Sequence, residues 1–154
     1  MPDAAASPPV AVVGAGAVGT PLARGLVASG YRVEAVLSRT PETAQTLADR
    51  VGASVAGTRN EALPAAVRLI LISVPDDAIA DVAEGLATLD HPWDETIVAH
   101  TSGAETAAVL APVARQGAAT LSFHPLQTFT EETSPEAFED IVVGLEGEDR
   151  AVAA

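Results

Sequence analysis

Residues 10–19 read Val10-Ala11-Val12-Val13-Gly14-Ala15-Gly16-Ala17-Val18-Gly19, and this stretch decides the fold. The four apolar residues predict a short buried strand, and the pattern over residues 18–29 predicts a helix. Three glycines stand between them in the spacing G-x-G-x-x-G. In such a unit the first glycine turns the chain, the second lets backbone N–H groups approach a pyrophosphate, and the third lets the helix pack on the strand. The stretch therefore predicts a dinucleotide site at a helix N-terminus.

The glycine spacing alone is a weak signal, because a purely structural turn in an alanine-rich chain has the same pattern. The flanking sequence decides. A second apolar run, residues 31–37, ends in Ser38-Arg39-Thr40, where a ribose-binding residue is expected. An acidic residue there suits NAD, whereas an arginine with flanking hydroxyls suits a 2′-phosphate, so NADP is favoured and NAD is the alternative. Glu34 is a less suitable candidate, because it lies inside the strand and not at its end. The alternative for Arg39 is a solvated surface arginine beside a helix cap.

Composition limits the function further. The 154 residues are 48% hydrophobic, which suits one domain. The formal charge of −13 argues against a nucleic-acid partner, although salt adaptation would also explain it. Without cysteine or lysine, the chain has neither thiolate nor Schiff-base chemistry. Three scattered histidines predict no metal site, and the acidic residues from 131 to 140 predict a solvated face.

The N-terminus lacks the basic region of a signal peptide, and no apolar run reaches membrane-spanning length. We therefore expect a soluble, cytoplasmic protein without a membrane partner.

Strand and helix patterns alternate along the chain. The predicted strands cover residues 10–13, 31–37, 53–56, 68–74, 96–99, 119–123 and 141–143. The predicted helices cover residues 18–29, a segment from Thr40 to Gly52, a segment capped by Asp76 and Asp77, and a segment that reaches Leu110. This alternation predicts an α/β fold, with a doubly wound, mostly parallel sheet between two layers of helices. Residues 1–9 are predicted to be a flexible arm, and residues 10–147 the domain.

In an open parallel sheet, ligands bind beyond the carboxyl ends of the strands. Five segments should meet there, namely residues 14–19, 38–40, 73–76, 100–103 and 123–129. The last of these is unusual for a loop, since it holds two phenylalanines and His124, and it is predicted to wall a nicotinamide or substrate pocket. His124 is an acid–base candidate or a packed histidine. His100 is less favoured, because Thr101, Ser102 and Gly103 suit a helix cap, and His91 is predicted to lie at the surface.

Five motifs in one order carry a family resemblance. They are Gly14 to Gly19, Ser38-Arg39-Thr40, Val74-Pro75-Asp76, His100-Thr101-Ser102-Gly103-Ala104 and His124-Pro125-Leu126-Gln127-Thr128-Phe129. The chain resembles the Rossmann-like oxidoreductases of the 6-phosphogluconate dehydrogenase superfamily. Within it, the chain resembles the branch in which HTSGA and HPLQTF segments precede a helical C-terminal domain of unknown function. Pyrroline-5-carboxylate reductase and prephenate dehydrogenase are more distant relatives.

The resemblance implies hydride transfer between NADP and an unknown small substrate. The implied cofactor-binding residues are Gly14, Ala15, Gly16, Ala17, Val18, Gly19, Ser38, Arg39, Thr40, Val74, Pro75, Thr101 and Ser102. His124 would face the substrate, and Ser102 is the second catalytic candidate.

The sequence stops where the helical domain of the family begins, so residues 148–154 are expected to be its start or a tail. The alternative is therefore a non-catalytic module that binds or senses the dinucleotide. Apolar surface left uncovered predicts a homodimer. A methyltransferase is disfavoured by Ser38-Arg39-Thr40, since the ribose of its cofactor calls for an acidic residue.

Overall fold

The glycine-rich stretch lies at the centre of one seven-stranded sheet. The computed structural model describes residues 7–154. The strands are Val10–Val13 (β1), Val33–Leu37 (β2), Val55–Gly57 (β3), Leu69–Ile72 (β4), Ile97–His100 (β5), Ala119–Pro125 (β6) and Val143–Gly147 (β7). The α-helices are Gly19–Ala28 (α1), Pro41–Val51 (α2), Ile79–Ala87 (α3), Ala111–Ala114 (α4) and Asp149–Val152 (α5).

The strand order is β3-β2-β1-β4-β5-β6-β7, and the first six strands are parallel. The chain runs outward from β1 to β3 on one side, then crosses back to β4 and continues to the other edge. This reversal places a crevice between the carboxyl ends of β1 and β4, the usual ligand position in a doubly wound sheet. The predicted α/β fold is confirmed.

Two apolar clusters cover the two faces of the sheet. Alternate residues of β1 enter different clusters, as the two-residue period of a strand requires. Val10 and Val12 pack with helices α1 and α2, whereas Ala11 and Val13 pack with α3 and α4. Because both faces are buried, the central strands are continuous apolar runs without polar alternation.

Local sequence signals set the ends of α2. The Thr40 hydroxyl accepts a hydrogen bond from the Thr43 N–H at 3.4 Å, and Pro41 occupies the first helical position. Gly52 ends the helix in the left-handed conformation, with φ of 71°. The predicted caps of this helix are confirmed.

The predicted cap of α3 is wrong. Asp76 and Asp77 lie in a tight 3-10 turn, and no side chain caps α3, which begins at Ile79. Pro75 stands in an extended conformation before this turn, and its carbonyl accepts a hydrogen bond from the Ala78 N–H at 2.9 Å. The backbone thus closes the turn, and both carboxylates point to solvent.

The chain also differs from expectation after β5. The helix predicted up to Leu110 is a 3-10 turn over Ala107–Leu110 followed by the short α4. Strand β6 extends to Pro125, because antiparallel pairing with β7 carries it past the predicted end. Strand β7 covers Val143–Gly147 instead of residues 141–143.

At the N-terminus, residues 1–6 of the predicted arm lie outside the described residues. The carbonyl of Pro9 accepts a hydrogen bond from the Arg68 N–H at 3.0 Å. Within residues 7–154, no helix is both long and apolar enough to cross a bilayer.

Candidate functional site

Four of the five predicted segments lie side by side at the carboxyl edge of the sheet, and the fifth reaches this edge through His124. Hydrogen bonding continues one residue beyond each strand: Gly14 N–H donates to Leu37 O at 2.8 Å, and Ser73 N–H donates to Val13 O at 2.7 Å. Thr101 N–H donates to Ile72 O at 3.1 Å, and Ser38 N–H donates to Gly57 O at 3.0 Å. These bonds fix a row across the edge in the order Ser38, Gly14, Ser73, Thr101.

Each of the three loop positions is occupied by glycine for a different physical reason. Gly14 has φ of +103°, and a Cβ there would collide with the carbonyl of Ser73. A Cβ on Gly19 would overlap the carbonyl of Gly14, so α1 begins directly against the turn. A Cβ on Gly16 would meet nothing within 4 Å. The first and third glycines are therefore required by the fold, whereas the second opens onto free space.

That free space fits the pyrophosphate of a dinucleotide. Among residues 7–154, the N–H groups of Gly16, Ala17 and Val18 donate no backbone hydrogen bond, and no acidic residue stands in the first turn of α1. The hydroxyl of Thr20 donates to Ala15 O at 3.0 Å and holds the loop in place. Unpaired N–H groups at a helix N-terminus attract an anion. The loop therefore offers the groups that a pyrophosphate requires.

The end of β2 presents Arg39 to solvent. Within the described part of the chain, its guanidinium makes no ion pair or hydrogen bond. Its neighbour Thr40 uses its hydroxyl to cap α2. Glu34 is engaged elsewhere, since its carboxylate pairs with Arg32 at 3.2 Å and accepts from the Ser54 hydroxyl at 2.6 Å. Arg39 is thus the free charge at the position that faces the ribose in such folds.

The segment after β5 is held by the buried imidazole of His100. Its Nδ1 accepts from the Ser102 N–H at 3.1 Å, so the ring proton lies on Nε2, which bonds the Thr106 carbonyl at 3.0 Å. The Ser102 hydroxyl oxygen accepts from the N–H groups of Ala104 at 3.1 Å and Glu105 at 3.2 Å. His100 and Ser102 therefore fix the loop, and the catalytic role of Ser102 stays a prediction.

His124 lies over the same loop. Its Nδ1 is 3.4 Å from the carbonyl oxygen of Thr101, a contact that requires the proton on Nδ1. The ring packs flat against Gly103, where a Cβ would lie 2.5 Å from Nε2. In this tautomer Nε2 keeps a lone pair, so it can accept a proton or, once protonated, donate one.

The two phenylalanines of the HPLQTF region face the α1 side of the sheet. The Phe129 ring stacks on Phe138 with centroids 4.8 Å apart, and Phe138 in turn packs against Gly25 of α1. Phe123 lines an apolar cavity of about 320 Å³ with Leu22 and other residues of α1. These rings thus cover helix α1, away from the crevice between β1 and β4.

His91 is buried, so the prediction that it lies at the surface is wrong. The side chain is 9% exposed, its ring lies 4.7 Å from that of Trp93, and its Nε2 has no hydrogen-bond partner among the described residues. Burial lowers the pKa of His91, the nearby Arg68 charge lowers it further, and a hydrogen bond with the Val67 backbone opposes both. It follows α3, at the edge of the sheet opposite the candidate site.

The fold described above matches a known protein family. A family model described as a Rossmann-like domain matches residues 4–125. The chain belongs to this family. No curated protein matches the sequence of this Rossmann-like domain at a significant level.

Solved structures with this fold include NAD(P)-dependent oxidoreductases. A "putative NADP oxidoreductase" from Bacteroides fragilis is 28% identical with a TM-score of 0.83, and the match covers 96% of this chain and 54% of that one. An imine reductase from Pseudomonas sp. is 27% identical with a TM-score of 0.71, over 96% of this chain and 50% of that one. The domain spans about half the length of these proteins.

More distant structures share the fold alone. Prephenate dehydrogenase from Aquifex aeolicus is 16% identical with a TM-score of 0.73, and the match covers 94% of this chain and 54% of that one. The Rossmann-like family match and the 28% identical Bacteroides fragilis structure agree with the expected resemblance to oxidoreductases, whereas these more distant neighbours support only the fold.

Proposed function

We propose that this domain binds NADP(H) and is the cofactor half of an NADP-dependent oxidoreductase. The observation that carries the proposal is the open space at Gly16. Among the described residues, no packing explains this space, and it faces N–H groups at the start of α1 that have no backbone partner. Two structural neighbours above 25% identity, named as an NADP oxidoreductase and an imine reductase, support the reaction class.

Arg39 supports NADP over NAD. Its guanidinium is exposed and unpaired within residues 7–154, one residue beyond the row at the carboxyl edge. A guanidinium binds a phosphate through paired, charge-assisted hydrogen bonds, which the ribose hydroxyls of NAD cannot provide. Ser38 stands next to it in the row, so the adenosine ribose would lie over the end of β2.

The remaining site residues lie on the opposite side of the crevice. Val74 and Pro75 follow the end of β4 and would border the nicotinamide half, with Thr101 beyond them. The bound cofactor supplies the hydride chemistry. His124 would exchange a proton with the substrate at Nε2, because Nδ1 is held by the Thr101 carbonyl.

Calorimetric titration with NADPH and NADH tests the proposal. Wild type should bind NADPH more tightly than NADH, and Arg39→Asp should weaken NADPH binding about 10- to 100-fold, the usual effect of losing a charged hydrogen bond. Arg115→Asp is the matched control, because Arg115 is also exposed and the net charge changes equally.

Equal losses in the two variants would show that only net charge matters, and the NADP assignment would then be wrong. If wild type binds neither dinucleotide, the glycine loop is purely structural and the proposal fails.

A further inference from the structure

Two hydroxyl side chains meet at the carboxyl ends of β4 and β5. The Oγ of Ser73 lies 3.2 Å from the Oγ1 of Thr101, and both residues are half-buried. They are the first residues after their strands, and Ser73 borders the crevice where the sheet reverses direction. The pair therefore lies within the candidate site, between the glycine loop and His124.

Packing explains the size of Ser73 but not its hydroxyl. Its carbonyl lies against Gly14, and its Cβ would be 3.2 Å from a Cβ on Gly19. The Ser73 Cβ therefore lies close to the start of α1, and this close approach favours a small residue. Alanine would meet the same requirement. The hydroxyl thus serves something other than the contact with the glycine loop.

The hydrogen-bonding capacity of the pair is not exhausted. The mutual bond uses one of the two hydroxyl protons, and in residues 7–154 no other side-chain hydrogen bond involves either oxygen. The pair keeps one donor proton and free lone pairs. A carboxamide matches both, because its carbonyl oxygen accepts a hydrogen bond and its N–H group donates one.

The position of the pair fits the same group. On the proposed function, the 2′-phosphate lies at Arg39 beyond β2 and the pyrophosphate at the loop beyond β1. The next strands along the row are β4 and β5, and β5 is two strand spacings from β1, about 10 Å. The nicotinamide half of the dinucleotide should therefore lie over Ser73 and Thr101.

We infer that the Ser73–Thr101 hydroxyl pair binds the carboxamide of the nicotinamide ring. The inference rests on the proposed function, and it assigns to Ser73 a contact with the cofactor in addition to its structural place beside Gly14. Ser73 is thereby the residue that joins the glycine loop to the nicotinamide end of the site.

Binding of two nucleotides separates this role from a structural one. NADPH carries the carboxamide, whereas 2′-phospho-ADP-ribose has the same phosphates and riboses without the nicotinamide ring. Ser73→Ala and Thr101→Val each remove one hydroxyl at nearly constant shape. Both should weaken NADPH binding about three- to tenfold, the effect of one lost hydrogen bond, and leave 2′-phospho-ADP-ribose unchanged. Thr101→Ser keeps the hydroxyl and should restore most of the loss caused by Thr101→Val.

A change in the ligand provides a second, independent readout. The 3-acetylpyridine analogue of NADPH lacks the amide N–H groups, so wild type should bind it more weakly than NADPH. At least one of Ser73→Ala and Thr101→Val should show a smaller difference between the two ligands, because the amide N–H donates to one of these two oxygens.

Two results would overturn the inference while leaving the proposed function intact. Equal weakening of NADPH and 2′-phospho-ADP-ribose would mean that the pair only supports the glycine loop. Unchanged NADPH binding in both variants would mean that the pair does not touch the cofactor. If wild type binds neither nucleotide, the proposed function and this inference are both wrong.

Discussion

Substitution of Gly16 and of Gly19 by alanine should separate ligand binding from folding within one loop. A methyl group on Gly19 would overlap the carbonyl of Gly14, so backbone must move. Overpacking of this kind costs about 1–3 kcal/mol. The gain in helix propensity from glycine to alanine, about 1 kcal/mol, offsets part of this cost. We expect Gly19→Ala to lower the free energy of unfolding by up to about 2 kcal/mol.

Gly16→Ala should behave in the opposite way. Gly16 lies outside the left-handed region, and its methyl group would meet no protein atom within 4 Å. The free energy of unfolding of the Gly16→Ala variant should therefore stay the same or rise by up to about 1 kcal/mol. The methyl group would stand where the pyrophosphate must approach. A steric cost of about 1–3 kcal/mol corresponds to NADPH binding weaker by about 5- to 150-fold.

Urea unfolding and calorimetric titration measure the two effects on the same samples. The expected pattern is a stable Gly16→Ala variant that binds poorly and a Gly19→Ala variant that unfolds at lower urea. NADPH affinity equal to wild type in Gly16→Ala would refute the assignment of that space to the cofactor. A destabilised Gly16→Ala variant would show that the space is filled by the protein itself.

Two further predictions concern histidines. Gly103→Ala should displace the His124 ring, whose Nε2 lies 2.5 Å from the position of the added Cβ; the histidine NMR signals should shift for His124, whereas unchanged signals would contradict the packing described. His91 should make stability pH-dependent, because burial and the charge of Arg68 lower its pKa in the folded state. As the pH falls through 6.5, the ordinary pKa of histidine, the unfolded chain takes up a proton that the folded chain resists. The free energy of unfolding therefore decreases as the pH falls. Urea midpoints between pH 5 and 7.5 measure this decrease, which His91→Phe should reduce; an identical pH profile in the variant would contradict it.

The sequence predicted best what is determined locally. The structural roles of Gly14 and Gly19 and the caps of α2 at Thr40 and Gly52 depend on residues within a few positions of one another. Central parallel strands were also predictable, because burial on both faces makes them continuous apolar runs. For the site, the convergence of the segments followed from the parallel sheet alone.

Several of the failures depend on distant contacts. His91 stands in a loop before Pro92. Nothing in the neighbouring sequence indicates that Trp93 is buried in the core and that His91 is buried against its ring. Strand β7 is an exposed edge strand with two glycines, so it lacks the apolar pattern of the others. The Ser73–Thr101 contact joins residues 28 positions apart, and only the strand order brings them together.

Folding and cofactor preference depend on different residues of the site, because Arg39 is exposed and lies outside the packed glycine loop. The seam of Gly14, Gly19 and the Ser73 backbone is so close that neither glycine has room for a Cβ. Arg39 has no partner within the described residues, so its replacement leaves that seam untouched. On the proposed function, preference between the two nicotinamide dinucleotides could drift during evolution by single substitutions that are nearly neutral for folding. A laboratory exchange of cofactor preference should accordingly begin at the end of β2 and leave the glycines alone.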